Sequence, residues 1–516
     1  MPNSSRYRLA LMAGAMALAV ARPAVADPGT DTAIQSLQQQ INDLNAQLQA
    51  LKQKEQQQEQ QQPPAAPENP VTPPPASSVS NASGEIAVSA PTTSAPRPLG
   101  ASIANGIVNG KPVFSSNDGR FTAAIRVLGQ FDTAYYMQGN PARSFSSAYG
   151  PELASGANFR RAWFGIYGKA FGDWSYVANF DFGSSGGVEN PGRIQSLFLE
   201  YDGLKPFAFR IGAYPPPAGL EDTTPSSDTM FLERSSPTDL ARNMAGGEAR
   251  DAASLLYIGD RVFGAFSLTG GNLTSTPVYQ EQNALLGRVA GLLYSAPDTN
   301  VVLSAMGSDI MKLPDTTPGP DPLTAISLSD PPELTVDSTG TRLVNTGSLS
   351  ATGAYNWGVE SGANWRNFYG QAGYFGYDVN REHFDYPDDS FNGWYAQASW
   401  VLTGEQKGYR PSLGAFIEPD PAHPLGEGGF GAWELVGRYS DLDLNQGVGF
   451  EGEKTPYGGV RGGDQKIWTL GLNWYPNSLF RFMLDYQNIG ISRLSSTGDD
   501  VGQTVQAVAM RAEISY

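Results

Sequence analysis

The chain has 516 residues, 40% of them hydrophobic and 11% aromatic, with 59 glycines, and its mean hydropathy is −0.31. The absence of cysteine excludes disulfides, thiolate metal sites and cysteine catalysis, and the net charge of −17 argues against nucleic acid as a partner. This length holds several soluble domains or one large barrel, and a transmembrane barrel reads as soluble in bulk because lumen-facing residues dilute lipid-facing ones.

Residues 1–26 read as a secretory signal peptide. Arg6 and Arg8 are the basic start, Leu9 to Val20 the apolar core, and Ala24-Val25-Ala26 the small-residue cleavage site. Beyond it no apolar run approaches the ~20 residues of a spanning helix. In residues 27–55, Ile34, Leu37, Ile41, Leu44, Leu48 and Leu51 recur at spacings of three and four, an a/d coiled-coil seam over about three heptads. The flanking Gln38, Gln40, Asn45 and Gln47 are uncharged, so no salt bridges set partner choice. So short a helix is marginal alone and needs association. The alternative is a solvated Gln-rich helix with a chance seam. Residues 56–117 read as a spacer, Gln-rich and then carrying Pro63, Pro64, Pro67, Pro70 and Pro73 to Pro75. Such a stretch cannot bury a core and stays extended and semi-rigid.

From residue 118 the pattern changes to strands. Phe121, Ala123, Ile125, Val127, Phe131 and Tyr135 share one parity, and Arg126, Gln130 and Asp132 the other. Trp174, Tyr176, Ala178, Phe180 and Phe182 oppose Ser175, Asn179 and Asp181, while Phe207, Phe209 and Ile211 oppose Arg210. Trp433, Leu435 and Tyr439 oppose Glu434 and Arg438. Trp468, Leu470, Leu472 and Trp474 oppose Thr469 and Asn473. Phe482, Leu484 and Tyr486 oppose Arg481, Asp485 and Gln487. The last segment sets Val508, Met510, Ala512, Ile514 and Tyr516 against Arg511, Glu513 and Ser515.

A period of two with aromatics near strand ends is the signature of strands standing in lipid with water behind them. Only a closed barrel lets a sheet span lipid without unpaired backbone groups. A soluble sandwich also alternates, but a signal peptide, aromatic girdles and a terminal aromatic favour the membrane. The predicted fold is an all-β transmembrane barrel over 118–516, preceded by a short N-terminal coiled-coil helix. The address is the outer membrane of a Gram-negative bacterium, with the N-terminal region periplasmic. Gly172-Asp173-Trp174 and Tyr475-Pro476-Asn477 suit tight periplasmic turns. The stretch 309–340, with Asp315, Asp321, Asp330, Glu333 and Asp337 among many prolines, suits a long loop outside the cell.

Three motifs are decoys. Gly183-Ser184-Ser185-Gly186-Gly187 fits the G-x-S-x-G string of hydrolases but leads into no helix. His383 and His423 are the only histidines, each in a loop with Pro and Asp, so neither a triad nor a His-rich metal site is expected. Asp441, Asp443, Asn445 and Gly447 resemble the start of a calcium loop, but the glycine is one place late and the acidic twelfth position is missing.

More specific are Phe159-Arg160-Arg161-Ala162-Trp163, residues 168–174 (GKAFGDW) and 199–207 (LEYDGLKPF), and Gly212-Ala213-Tyr214-Pro215-Pro216-Pro217. Gly219-Leu220-Glu221, Ser226-Ser227-Asp228 and Phe231-Leu232-Glu233-Arg234 follow, with residues 431–447 (GAWELVGRYSDLDLNQG) and 467–475 (IWTLGLNWY) near the C-terminus. In this order they resemble the phosphate-selective porin O and P family. The resemblance implies a barrel of 16 antiparallel strands. It also implies a homotrimer with one pore per subunit, a third loop folded inward, and passive diffusion without chemistry or cofactor. A trimer would override the lean toward two strands that Ile at a and Leu at d give the coiled coil. Pro215, Pro216 and Pro217 suit such a loop because they fix φ and stop ladder pairing.

In phosphate-selective members, constriction arginines bind the anion, Arg supplying charge and a planar fork of donors. By motif the resemblance carries this role to Arg160, Arg161 and Arg234; parity alone adds Arg126 and Arg210. The competing reading is that these arginines pair with Glu221, Glu233 or another carboxylate and shape a transverse field. Adjacent Arg160 and Arg161 point to opposite faces of a regular strand, so both reach the lumen only near a strand end or a bulge. Where phosphate-selective members carry lysine after Gly-Leu-Glu, this chain has Asp222, and Asp228 and Glu233 share its loop. These carboxylates imply weak anion preference or none.

The expected function is an outer-membrane porin for small hydrophilic solutes, with anions such as phosphate as a candidate class. The second reading is a general or weakly cation-leaning porin that also tethers the outer membrane to the periplasm or cell wall through its coiled coil. Expected partners are outer-membrane lipid and lipopolysaccharide, further copies of the chain, and small-molecule or ionic solutes. No nucleophile–base pair supports an enzyme, and no cofactor or metal is expected.

Overall fold

A computed structural model describes residues 103–108, 111–138, 152–183, 192–273, 280–315, 324–382 and 387–516. The signal peptide, the coiled-coil seam, His383 and most of the G-x-S-x-G string lie outside the described residues. In chain order the strands are β1 (Ile103–Val108), β2 (Lys111–Ser116), β3 (Thr122–Gln138), β4 (Gly156–Ala170), β5 (Trp174–Asp181), β6 (Arg193–Leu204), β7 (Phe207–Ala213), β8 (Arg250–Ile258), β9 (Val262–Asn272), β10 (Asn283–Ala296) and β11 (Thr299–Lys312). After the short β12 (Ala325–Ile326), β13 (Ser329–Asp330) and β14 (Val344–Asn345) come β15 (Leu349–Trp365), β16 (Phe368–Arg381) and β17 (Asp389–Val401). The chain ends with β18 (Lys407–Arg410), β19 (Ala415–Pro419), β20 (Ala432–Gln446), β21 (Val460–Tyr475), β22 (Phe480–Ser492) and β23 (Gln503–Ser515).

Of these, β3–β11, β15–β17 and β20–β23 form a closed antiparallel barrel of 16 strands. Closure is the pairing of β23 with β3, from Val505↔Gln138 to Ser515↔Leu128. It removes both sheet edges, as a sheet in hydrocarbon requires. The alternation in the sequence is the alternation of the wall. Along β17, Ser390, Asn392, Trp394, Ala396, Ala398 and Trp400 look outward, and the residues between them are buried. Two aromatic rows ring the outside. Trp365, Phe368 and Trp400 stack in one, and Trp357, Tyr374, Trp394, Tyr439 and Trp468 form the other. Trp357 and Trp365 lie eight residues apart on β15. That is roughly 20 Å at the rise and tilt of barrel strands, close to the ~25 Å apolar band of such walls.

Short connections cluster at one end, which outer-membrane barrels turn to the periplasm, and long ones at the other. The sequence expectations need correcting in two places. Residues 103–108 and 111–116, assigned to the spacer, are the antiparallel pair β1 and β2, and β2 extends onto β3 at Val113↔Ala124. The loop between β11 and β15, the fifth long connection, does not simply stand outside the cell. Its Leu328, Leu334, Val336, Leu343 and Val344 are buried in one cluster with Leu232, Leu240 and Met244. The connection between β17 and β20, at the short-turn end, is itself long, and its β18–β19 hairpin folds back into the barrel. Phe416 there is buried with Leu220, Phe231, Phe263 and Tyr369. Inserted segments thus add apolar side chains to the interior beside wall residues such as Phe263 and Tyr369, a contribution the wall's two-residue period does not reveal.

Candidate functional site

The third long connection, residues 214–249, runs inside the barrel. Pro216 and Pro217 are buried and Pro215 half-buried where it leaves β7. Two helices follow, α1 (Leu220–Thr223) and α2 (Ser236–Ala245), the second with Pro237 near its start. Proline is tolerated there because the first-turn N–H groups have no intrahelical acceptor. Wall and loop carboxylates satisfy those N–H groups instead. Glu360 on β15 accepts from the Leu220 N–H at 2.5 Å and the Glu221 N–H at 3.1 Å, and Tyr395 donates to it at 2.7 Å. Glu333 of the fifth loop accepts from the Ser236 N–H at 2.9 Å and from the Ser440 hydroxyl at 2.5 Å.

The arginines meet at Glu233. A β-bulge breaks the β3–β4 register, since Gln130 faces Arg161 whereas Phe131 faces Phe159. Arg160 is the extra residue, so both arginines turn to the lumen. The Arg160 Nε lies 2.5 Å from Glu233 Oε1, the Arg161 guanidinium 3.6 Å from Oε2, and the Arg511 guanidinium 3.3 Å from Oε1. The Thr335 hydroxyl adds a hydrogen bond at 3.2 Å. Burial alone would raise the Glu233 carboxyl, but the three guanidiniums hold it well below the usual carboxylate range.

The other expected residues are paired as well. Asp222 is buried and lies 2.6 Å from Arg242 and 3.9 Å from Arg234, whose guanidinium also donates to the Asp222 and Thr224 carbonyls. Glu221 accepts from the Ser235 hydroxyl at 2.6 Å and lies 3.4 Å from Arg438, which also pairs with Glu333. Arg210 pairs with Glu200 at 2.6 Å on the neighbouring strand and sits over Phe198 and Tyr214. Arg126 is different. It lies over Trp163 and has no carboxylate within ion-pair distance among the described residues.

The descriptive model of the phosphate-selective porin O and P family matches residues 137–516. The chain belongs to that family. Porin O of Pseudomonas aeruginosa is 26% identical over 407 residues, covering 72% of this chain and 83% of that one. Among solved structures, the anion-selective porin from Comamonas acidovorans is similar at a TM-score of 0.45 and 11% identity, covering 77% of this chain and 100% of its own. The trimer form of in-vitro folded OmpT of Vibrio cholerae is similar at 0.43 and 10% identity, covering 76% and 99%. As a member of that family the protein is an outer-membrane porin channel.

Sequence reading missed several residues of this porin's interior. Arg511 and Asp132 form a two-pronged pair, both contacts 2.7 Å, across the closure seam. Parity had turned both to the lumen, but only the seam register makes them partners. Lys407 of the inserted hairpin is buried 2.9 Å from Glu434, and Arg288 donates to the Leu413 and Gly414 carbonyls at 2.9 and 2.7 Å. No local pattern announces that a 402–431 turn enters the barrel. Between third loop and hairpin, lined by Glu221, Asp228, Phe231, Tyr369 and Phe416, the free space is only about 20 Å³, room for about one water. Asp441 and Asp443, the calcium-loop candidates, lie on β20.

Proposed function

We propose that this porin passes small hydrophilic solutes by passive diffusion, that the third loop sets its constriction, and that it discriminates weakly by charge. Glu233 carries the last point. Its carboxylate occupies the space among Arg160, Arg161 and Arg511 that an entering anion would need. A tethered carboxylate competes at high effective concentration with any diffusing anion. Arg234, Arg242, Arg438 and Arg481 likewise each have a carboxylate within 4.0 Å. Guanidiniums so matched present a short-range field of both signs rather than an anion filter. Family membership supports a homotrimer with one pore per subunit.

The test is the reversal potential of the full-length protein in a planar bilayer under a KCl gradient, repeated with added phosphate. The expected potential is small or cation-leaning and indifferent to phosphate. A strongly anion-selective current blocked by phosphate would overturn the reading.

A further inference from the structure

Below the constriction, at the short-turn end, a cavity of about 510 Å³ opens between the barrel wall and the inserted hairpin. This is within the ~300–1,000 Å³ range of small-molecule sites. Its charges differ in kind from those above. Arg126 of β3 and Arg410 of β18 line it, and neither has a carboxylate within ion-pair distance among the described residues. Asp228 of the third loop and Glu418 and Asp420 of the hairpin line it too. Arg481 and Glu513 also border it, but they neutralise each other at 2.8 Å.

Glu418 lies 3.6 Å from Arg481. Even so, burial first, then the charges of Asp228 and Glu513, push its carboxyl well above the usual range. Such crowding is relieved by a cation brought alongside it, and the two unpaired guanidiniums offer forks for a carboxylate. The cavity thus holds two guanidiniums with no carboxylate partner among the described residues, and two carboxyl groups, Glu418 and Asp228, crowded together.

We propose that this cavity is a docking station for small zwitterions, solutes carrying an ammonium and a carboxylate as amino acids and short peptides do. Arg126 and Arg410 take the carboxylate, and Glu418 with Asp228 takes the ammonium. Each end exchanges water for a charged partner, so the solute pays less to enter the narrow interior than one whose charge is met only by water. Arg410 at one end is exposed and Glu418 at the other partly so, which keeps the dwell short enough for release.

This proposal rests on the diffusion-channel reading above, and the experiment separates the two. Full-length protein is reconstituted in liposomes. Influx of diglycine is compared with an uncharged solute of matched size, with a monocarboxylate and with a monoamine. The expected result is diglycine influx several-fold above the other three. In Arg126→Gln and Glu418→Gln proteins, the ratio of diglycine to uncharged influx should fall toward one. Equal rates for diglycine and the uncharged solute in the unaltered protein overturn the zwitterion site while leaving the channel intact, and no influx of any solute overturns the channel itself. A ratio that both substitutions leave unchanged, or a monocarboxylate or monoamine faster than diglycine, overturns the assignment.

Discussion

At the scale of single residues, the most consequential feature is one inserted residue in β4. Without the bulge, Arg160 would face lipid, where an uncompensated guanidinium costs at least about 2.5–3.5 kcal/mol. With it, Arg160 and Arg161 share Glu233, each about nine-tenths shielded from solvent. Replacing Glu233 by Gln removes the anion that compensates both and leaves Arg511 only Asp132. Breaking a fully buried pair costs about 3–5 kcal/mol, and the slight exposure here lowers that. The expected outcome of Glu233→Gln is a reversal potential displaced toward anion selectivity and a current that phosphate now blocks. An unchanged potential would show that Glu233 does not mask the arginines. Acid should not reproduce the substitution easily. The Glu233 carboxyl is held below the ordinary range, so its contribution is present above that range and is lost only as pH falls through the lowered value.

At the scale of elements, the third and fifth loops hold each other through two buried carboxyl groups in different surroundings. Glu333 is matched by Arg438 and the α2 N-terminus. Asp330, three residues earlier, is buried and meets Ser236 and Asp239 of α2. Burial, then the Asp239 charge, raise it well above the usual range; Arg342 opposes them. Arg242 lies 3.8 Å from Asp239 and spends its shorter contacts on Asp222 and Glu248. Tyr377 of β16, buried nearby, donates to the Pro237 carbonyl. A raised carboxyl stabilises the loop contact in its protonated form. That stabilisation is fully present below the ordinary carboxylate pKa and is lost as pH rises through the raised one. Single-channel records should therefore become noisier as pH is raised above the ordinary carboxylate range, and Asp330→Asn, which keeps the shape without the charge, should abolish the trend. Equal pH dependence in both proteins would rule this contact out as the cause.

At the scale of the whole molecule, the wall was legible in the sequence and the filling was not, for one physical reason. Wall residues answer to lipid on one side and water on the other, so β22 and β23 announce themselves by parity alone. Residues inside answer to one another across the barrel. Glu233 meets an arginine 73 positions earlier, and Arg511 meets Asp132 across 379. The hairpin at 407–419 looks locally like any exposed turn. Only the closed circuit makes these pairs neighbours. The same circuit indicates what the N-terminal region does not do. Every barrel strand is paired on both sides by sequence from residue 122 onward, so closure asks nothing of residues 27–99. We propose that residues 27–99, whose sequence carries the heptad spacing and the prolines, act outside conduction as a tether to the cell wall. Deleting residues 27–99 behind the intact signal should leave single-channel conductance within experimental error. In cells it should raise outer-membrane vesicle release and reduce the porin's retention with peptidoglycan sacculi. Conductance lost along with the segment would place it in the channel. Conductance and retention both unchanged would remove the tether and leave the seam as a solvated Gln-rich helix.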